Sequence, residues 1–402
     1  MIDKSRPGNP RMNILAAHNF YKQPGGEDQC VAAEVAMLKS HGHEVTQYFL
    51  RNESIDAMSR LQVGSRTIWS GPAFRELRQL FRTHRPQIAH FHNTFPLISP
   101  AAYYAAQAEN VRVVQTLHNF RLCCANAVLF RDGNVCEDCL GKTIPWPAIV
   151  HKCYHDNRAA SATIATMLTA HRVLGTWRKL IDVYIALTEF GRRKLIEGGL
   201  PAEKIAVKSN FAYPDPGPGA GAGGYAVFVG RLSVEKGVET LLNAWRHLGG
   251  SLPLRLVGDG PLAGVVREAA AKDASIQWLG NVPLEAVYSL VGEATFLVLP
   301  SQCYENFPRV VIEAFAKGTP VIASKLGGMA EIVDDGRTGL HFTPGDPADL
   351  AKKVRSILAD PLKLARLRQA ARQRFDQYFT ADANHKSLMA IYEKALNGRP
   401  QT

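Results

Sequence analysis

The chain has 402 residues, 46% hydrophobic and 21% charged, with a formal net charge of +11. That length predicts two or three domains, each able to bury its own core, and the composition is ordinary for a soluble globular protein. No apolar run approaches the roughly 20 residues of a membrane span, and the polar first eleven residues lack the apolar stretch of a secretory signal, so the expected location is the cytoplasm.

Read in chain order, strands and helices alternate. Residues 12–17 form an opening strand, and a turn at Gly25 and Gly26 leads into a helix over 28–40. Strands over 44–50, 87–91 and 112–117 are interleaved with helices over 73–83 and 101–109. This rhythm predicts a parallel sheet with helices on both faces. Residues 123–157 interrupt it as a loop-like insertion. It resumes with a long helix over 158–180, a strand over 182–187, a helix over 189–197 and a strand over 205–208. Residues 214–224, P-D-P-G-P-G-A-G-A-G-G, read as a domain linker. A second α/β unit follows, with strands over 225–229, 254–257, 276–279, 296–299 and 320–323, and a helical tail over 381–396. The fold class is therefore α/β, two doubly wound domains whose sheets face a cleft across their carboxyl edges, where such sheets bind ligands.

The positive charge is uneven: residues 1–210 hold 26 Lys and Arg against 17 Asp and Glu, residues 211–402 hold 21 against 19. The surplus points to an anionic partner or simply to solubility. The helix after Pro72 sets Arg75, Arg78, Arg82 and Arg85 opposite Phe74, Leu77, Leu80 and Phe81. It is an ordinary amphipathic helix, or a basic face for peripheral contact with anionic membrane. Phe and Tyr do not interleave with the basic clusters, which argues against nucleic acid.

The richest stretch is 304–318, Y-E-N-F-P-R-V-V-I-E-A-F-A-K-G. Asn306 suits a helix cap, Pro308 the first helical position, and Gly318 the stop. The apolar run 294–300 just before it reads as a buried strand, so a strand feeds a helix N-terminus, a place that binds phosphate. Glu305 stands at the mouth of that site. Glu313, about two turns in, reaches a group ~10 Å deeper, a span that fits a nucleotide sugar. Earlier, Gly230 ends a strand, and Arg231 and Lys236 follow just before a helix. Two cations there can clamp a diphosphate and offset the charge it gains on leaving; otherwise they stay solvated, as most Lys and Arg do.

Seven cysteines in a cytoplasmic chain argue against a disulfide framework, and five of them fall within 123–153. Cys136 and Cys139 are two residues apart, with Cys124 upstream (Cys123 as its substitute) and Cys153 downstream. Four thiolates suit a structural zinc that pins a loose loop; the alternatives are buried free thiols or a redox pair.

Residues 226–345 resemble the donor-binding domain of the retaining family 4 glycosyltransferases, which have the GT-B fold. The shared pieces are V-G-R-L at 229–232, E-K-G at 235–237, G-D-G-P at 258–261, L-G at 279–280, P-S at 300–301, the stretch from Glu305 to Glu313 with Ala314, and G-T-P-V-I-A at 318–323. G-G at 327–328, E-I at 331–332 and G-R-T-G-L at 336–340 complete the set. The first half resembles the family more loosely, through G-G-E at 25–27, H-F-H at 90–92 and T-L-H-N at 116–119.

The resemblance implies an acceptor-binding domain over 11–212, a donor domain over 213–380 and a terminal helix over 381–402 crossing back to the first. It implies a hexosyltransferase that moves a sugar from a UDP- or GDP-sugar to a hydroxyl of a glycan or lipid-linked glycan in polysaccharide biosynthesis. Arg231 and Lys236 would bind the diphosphate, the Asn306 and Phe307 amides the phosphate, and Glu313 the ribose. Glu305 and His118 would meet the sugar, Gly25 and Gly26 would admit the phosphates, and Val282 would lie by the base. Asn306 stands where many members have Gly. No Asp-x-Asp occurs, which fits catalysis without a cofactor or metal. The rival readings are another GT-B enzyme, such as a nucleotide-sugar epimerase or a phosphorylase, and a non-catalytic binder of an anionic surface.

Overall fold

A computed structural model describes residues 11–22 and 25–398. The polar start and the last four residues of the expected terminal segment lie outside the described residues. The strands are β1 (Asn13–Phe20), β2 (Glu44–Arg51), β3 (Ile88–Phe91), β4 (Arg112–Leu117), the two-residue β5 (Phe130–Arg131) and β6 (Asn134–Val135), β7 (Val183–Ala186) and β8 (Ile205–Val207). After the linker come β9 (Ala226–Val229), β10 (Leu254–Val257), β11 (Ile276–Gly280), β12 (Phe296–Leu299), β13 (Val321–Ser324) and β14 (Gly339–Phe342). One parallel sheet runs β2-β1-β3-β4-β7-β8, the other β11-β10-β9-β12-β13-β14. β3, β7, β12, β13 and β14 are buried at every position, as strands covered on both faces by helices must be.

In each sheet the chain turns back once, between β1 and β3 in the first and between β9 and β12 in the second. Loops leaving neighbouring strands at such a point run to opposite faces and open a crevice. The second crevice is tightened by Gly237, at φ 69°, where a Cβ would stand 1.9 Å from the Pro300 carbonyl oxygen. Only glycine lets the loop after β9 lie on the loop after β12.

The terminal helix Ala381–Asn397 leaves the second domain and packs Leu388, Met389, Ile391 and Tyr392 against Met12, Ile14 and Met37 of the first. The linker is no free tether. The Gly219, Gly221 and Gly223 amides donate to the Lys317, Gly292 and Glu293 carbonyls, and Arg368 holds the Gly219 carbonyl. A Cβ at Gly219 would meet the Gly292 backbone at 2.3 Å, so these glycines serve close packing.

Other expectations need correction. The 158–180 helix is two, Arg158–Val173 and Thr176–Lys179, split at Gly175 with φ 74°. Asn306 is not the cap: Pro308, in extended conformation, caps the helix Arg309–Ala316. The sequence reading missed β14 and the helix Arg60–Ile68, although Ser59 and Gln62 form its capping box. The arginine-bearing helix Gly71–His84 buries Ala73, Leu77 and Phe81, and its basic face is partly neutralised: Arg78 and Arg82 both reach Glu109, at 2.7 and 3.0 Å.

Candidate active site

The crevice of the second domain gathers Glu305, Lys236 and Ser301. Lys236, at the end of the turn Val234–Lys236, lies 2.5 Å from Glu305, and the Ser301 hydroxyl donates to the same carboxylate at 2.8 Å. Burial opposes the charge on Lys236, yet Glu305 outweighs it and pushes the ammonium up to about 12. It is a permanent cation at any working pH. Arg231 does not join this pair; it is exposed, and among the described residues it has no ion-pair partner. Gly230 sits beside it at the end of β9.

Glu313 is not free either. Arg309, one turn earlier, bonds it at 2.7 Å, and the two are 8% and 4% exposed. Burial raises the Glu313 pKa against the pull of Arg309. Arg309 also keeps one guanidinium nitrogen buried without a partner. The sequence reading missed Arg309, although a cation four residues before a glutamate is a visible helix pair. Among the described residues nothing accepts from the Asn306 or Phe307 amide, so both remain available to an anion. The Phe307 ring is buried against Phe379. Val282 packs half-buried against the apolar core that holds Val287, Val291 and Phe307.

In the first domain His118 follows β4 and His92 follows β3. Nδ1 of His92 lies 3.1 Å from Nε2 of His118, and Nε2 of His92 lies 3.4 Å from Glu34. Glu34 also takes His90 at 3.0 Å and Lys208 at 3.0 Å. Burial alone would raise Glu34, but Lys208 and His90 hold it well below the usual carboxylate range. An ionised carboxylate only accepts, so His92 donates from Nε2 and accepts at Nδ1. His118 must then donate from Nε2, which leaves its Nδ1 lone pair for a ligand hydroxyl. Burial, then His92, keeps His118 neutral, well below its ordinary pKa. Glu34, His90 and His92 offer ligand atoms within 4.8 Å of one another, but the Lys208 ammonium already supplies the cation there. Glu34 escaped the sequence reading; its trace was a charge inside the apolar run 31–38.

These histidines make stability depend on pH. Burial, then His90, lowers His92 to about 3, whereas an unfolded histidine titrates near ~6.5. Below that pH the unfolded chain binds more protons, so stability falls with falling pH, by up to about 1.4 kcal/mol per unit for each such histidine. Urea midpoints from pH 7.5 to 5 should decline, less steeply in His92→Asn; a flat profile would contradict the buried network.

Gly25 starts the helix Gly26–Ser40, and its own amide is taken by Asp28 at 2.9 Å. Next to them, burial pushes Glu27 up to about 7, with Tyr21 bonded to it at 3.0 Å. The two crevices meet. A Cβ on Gly26 would lie 3.6 Å from the Arg309 Cβ. The Asn306 side-chain amide donates to the Leu117 carbonyl at 2.8 Å, beside His118. The residue expected to cap a helix is a strut across the cleft.

The four clustered cysteines Cys124, Cys136, Cys139 and Cys153 face one cavity, which no crevice residue named above lines. Cys123 points elsewhere, against Gly198.

Two families match consecutive stretches: "Glycosyltransferase Family 4" over residues 24–215 and "Glycosyl transferases group 1" over 220–374. A glycogen synthase of Mycobacterium tuberculosis is 35% identical over 181 residues, 44% of each chain. A 2-deoxystreptamine glucosyltransferase of Streptomyces kanamyceticus is 31% identical over 250 residues, 60% of this chain and 62% of that one. The chain thus spans less than two thirds of the length of these curated relatives. Among solved structures, a sucrose-phosphate synthase of Thermosynechococcus elongatus aligns with a TM-score of 0.72 at 18% identity, over 97% of this chain and 100% of that one. HepE of Anabaena in complex with UDP-glucose aligns at 0.67 and 18%, over 95% and 100%. These structures share the fold.

Proposed function

The chain belongs to the family 4, group 1 glycosyltransferases of GT-B fold, and from that premise we propose that it moves a sugar from a nucleotide diphosphate sugar to a hydroxyl of a glycan or lipid-linked glycan, with retention at the anomeric carbon and without a metal ion. The observation that carries the reading is the joining of the Lys236–Glu305–Ser301 cluster to the edge bearing His118 through Asn306 and the Leu117 carbonyl.

The diphosphate lies over the start of Arg309–Ala316, where it would accept from the Asn306 and Phe307 amides, for which no acceptor is found among the described residues. Lys236 offsets the charge that grows on it as the bond to the sugar breaks. Arg231 reaches in from solvent. Glu313 takes the ribose hydroxyls, and the His118 Nδ1 accepts from a sugar hydroxyl. Glu305 is shared between Lys236 and Ser301, and Glu313 is committed to Arg309, so this reading assigns neither of them a covalent intermediate. The acceptor oxygen therefore bonds the anomeric carbon on the face that the diphosphate leaves, and its proton passes to the departing phosphate oxygen. For a lipid-linked acceptor, the exposed Ile144, Trp146, Val173 and Leu174 offer an apolar surface beside Arg172, which bonds the Lys142 and Thr143 carbonyls, in addition to the basic helix face, where Arg78 and Arg82 are paired with Glu109.

Incubation with UDP- and GDP-sugars and a panel of glycan acceptors should give a product of retained configuration, undiminished by EDTA. A strict need for Mg²⁺ or Mn²⁺ would overturn the metal-free clamp. An altered sugar formed from donor alone would favour an epimerase.

A further inference from the structure

The insertion over 123–157 has little to hold it together. Its regular structure is the two-residue β5–β6 pair and one short helix, Trp146–Val150. Ala127, Leu129, Asp132, Lys152, His155 and Asp156 all have positive φ, between 48° and 69°. Side-chain-bearing residues keep that conformation only where their surroundings impose it. Yet cysteines from three separate parts of this segment meet at one cavity. Cys124, Cys136, Cys139 and Cys153 line this small cavity of about 10 Å³, together with Phe130, Ala148, Asn126 and Arg131. That is room for a single atom-sized guest.

Burial favours the protonated thiols of Cys136, Cys139 and Cys153, and the Cys139 thiol donates to the Pro145 carbonyl at 3.9 Å, yet each sulfur also has an N–H group beside it. The Asp138 backbone amide lies beside Cys136, the Ala148 amide beside Cys139, and the Arg131 side chain beside Cys153. Such N–H donors around a metal-bound sulfur orient it and spread its charge. Arg131 is itself fixed by Asp138 at 2.9 Å. The Cys124 sulfur lies 2.8 Å from the Asn126 oxygen, a contact it makes as a thiol; a metal displaces that proton, as it does at every cysteine ligand. The other three cysteines are elsewhere: Cys123 against Gly198, Cys30 in the helix Gly26–Ser40, and Cys303 beside Lys236 and Glu305.

We propose that Cys124, Cys136, Cys139 and Cys153 hold one zinc ion, and that the knuckle so formed presents Glu137 to the second domain as a brace on the loop that carries Glu305. With four sulfur ligands the ion has no open position and is structural. Glu137, between the paired cysteines, bonds Lys194 at 3.0 Å. Lys194 lies 5.8 Å over the ring of Tyr304, whose hydroxyl faces Glu137 and whose ring meets Phe190 edge-on at 4.7 Å. Tyr304 is the residue before Glu305. Order in the insertion of the first domain thus reaches the sugar end of the crevice in the second.

The zinc assignment stands apart from the proposed transfer reaction, and metal analysis tests it without any assay of turnover. The full chain, purified without added metal, should contain about one zinc per molecule. Exchange for cobalt should produce the strong near-ultraviolet absorption of thiolate-to-cobalt charge transfer. Cys136→Ser should lose the ion, whereas Glu137→Gln should keep it and weaken donor binding several-fold. Metal-free native chain with these four thiols open to a thiol reagent, or with Cys136 and Cys139 joined as a disulfide, would overturn the site even if every variant failed to fold. Loss of zinc in Glu137→Gln would make Glu137 a ligand and refute the four-sulfur set. Unchanged donor affinity in a zinc-loaded Glu137→Gln chain would refute the brace.

Discussion

A Lys236→Met chain is expected to fold and to bind donor nearly as well as the native protein, while its turnover falls by about 10²–10³-fold. That is the usual cost of removing one preorganised group aimed at charge developing in the transition state. The ground-state diphosphate is already anionic, but the charge on the leaving oxygen grows as the bond to the sugar stretches. Only an interaction that strengthens in step with it lowers the barrier. Lys236 is placed for that role by the close approach at Gly237, and Glu305, 2.5 Å away, keeps it charged. Arg231→Met should lose less, because Arg231 is exposed and its field is screened. Since Lys236 and Glu305 form one unit, Glu305→Gln combined with Lys236→Met should lose far less than the product of the two single losses. Equal losses in donor affinity and turnover for Lys236→Met would assign it to plain binding instead.

What the sequence disclosed and what it hid divide along one physical line. β10 and β12 fall on the residues expected of them: β12 is the unbroken apolar run that a strand covered on both faces must be, and β10 departs from it only at Arg255. The helix start between Glu305 and Glu313 was legible too, since its geometry is that of a single loop and helix, but its cap and the Arg309–Glu313 pair were not. Nor was the network behind His118. Glu34, His90, His92 and Lys208, with Asn384 bonded to Lys208 at 3.0 Å, are scattered along the chain and meet only once the sheet and the terminal helix are assembled. Asn306 shows the same limit at short range. Its type suits a cap, but the extended Pro308 takes that place, and the Asn306 amide is drawn instead to a carbonyl of the other domain. The linker glycines gave the opposite error: composition suggests slack, yet they are where backbone must pass close to backbone.

Glu313→Ala is expected to do two things at once, and a second substitution separates them. The carboxylate is proposed to hold the ribose, so donor affinity should fall; a buried hydroxyl left without its partner costs about 1–3 kcal/mol, or roughly five- to a hundred-fold. But Glu313 is also the ion-pair partner of Arg309, and both are more than nine-tenths buried. Breaking a buried pair by removing one member strands the other and costs about 3–5 kcal/mol of stability. The single variant should therefore unfold at clearly lower urea, and its weak binding would be ambiguous. Replacing both residues, as Arg309→Met with Glu313→Leu, removes both charges and keeps apolar volume, which is often neutral for stability. That double variant should recover most of the lost stability and none of the lost donor affinity. Arg309→Met alone should be destabilised too, because it leaves Glu313 buried without its cation. If the double variant regained donor binding along with stability, the ribose assignment of Glu313 would be wrong, and the pair would serve only to hold the helix Arg309–Ala316 in place.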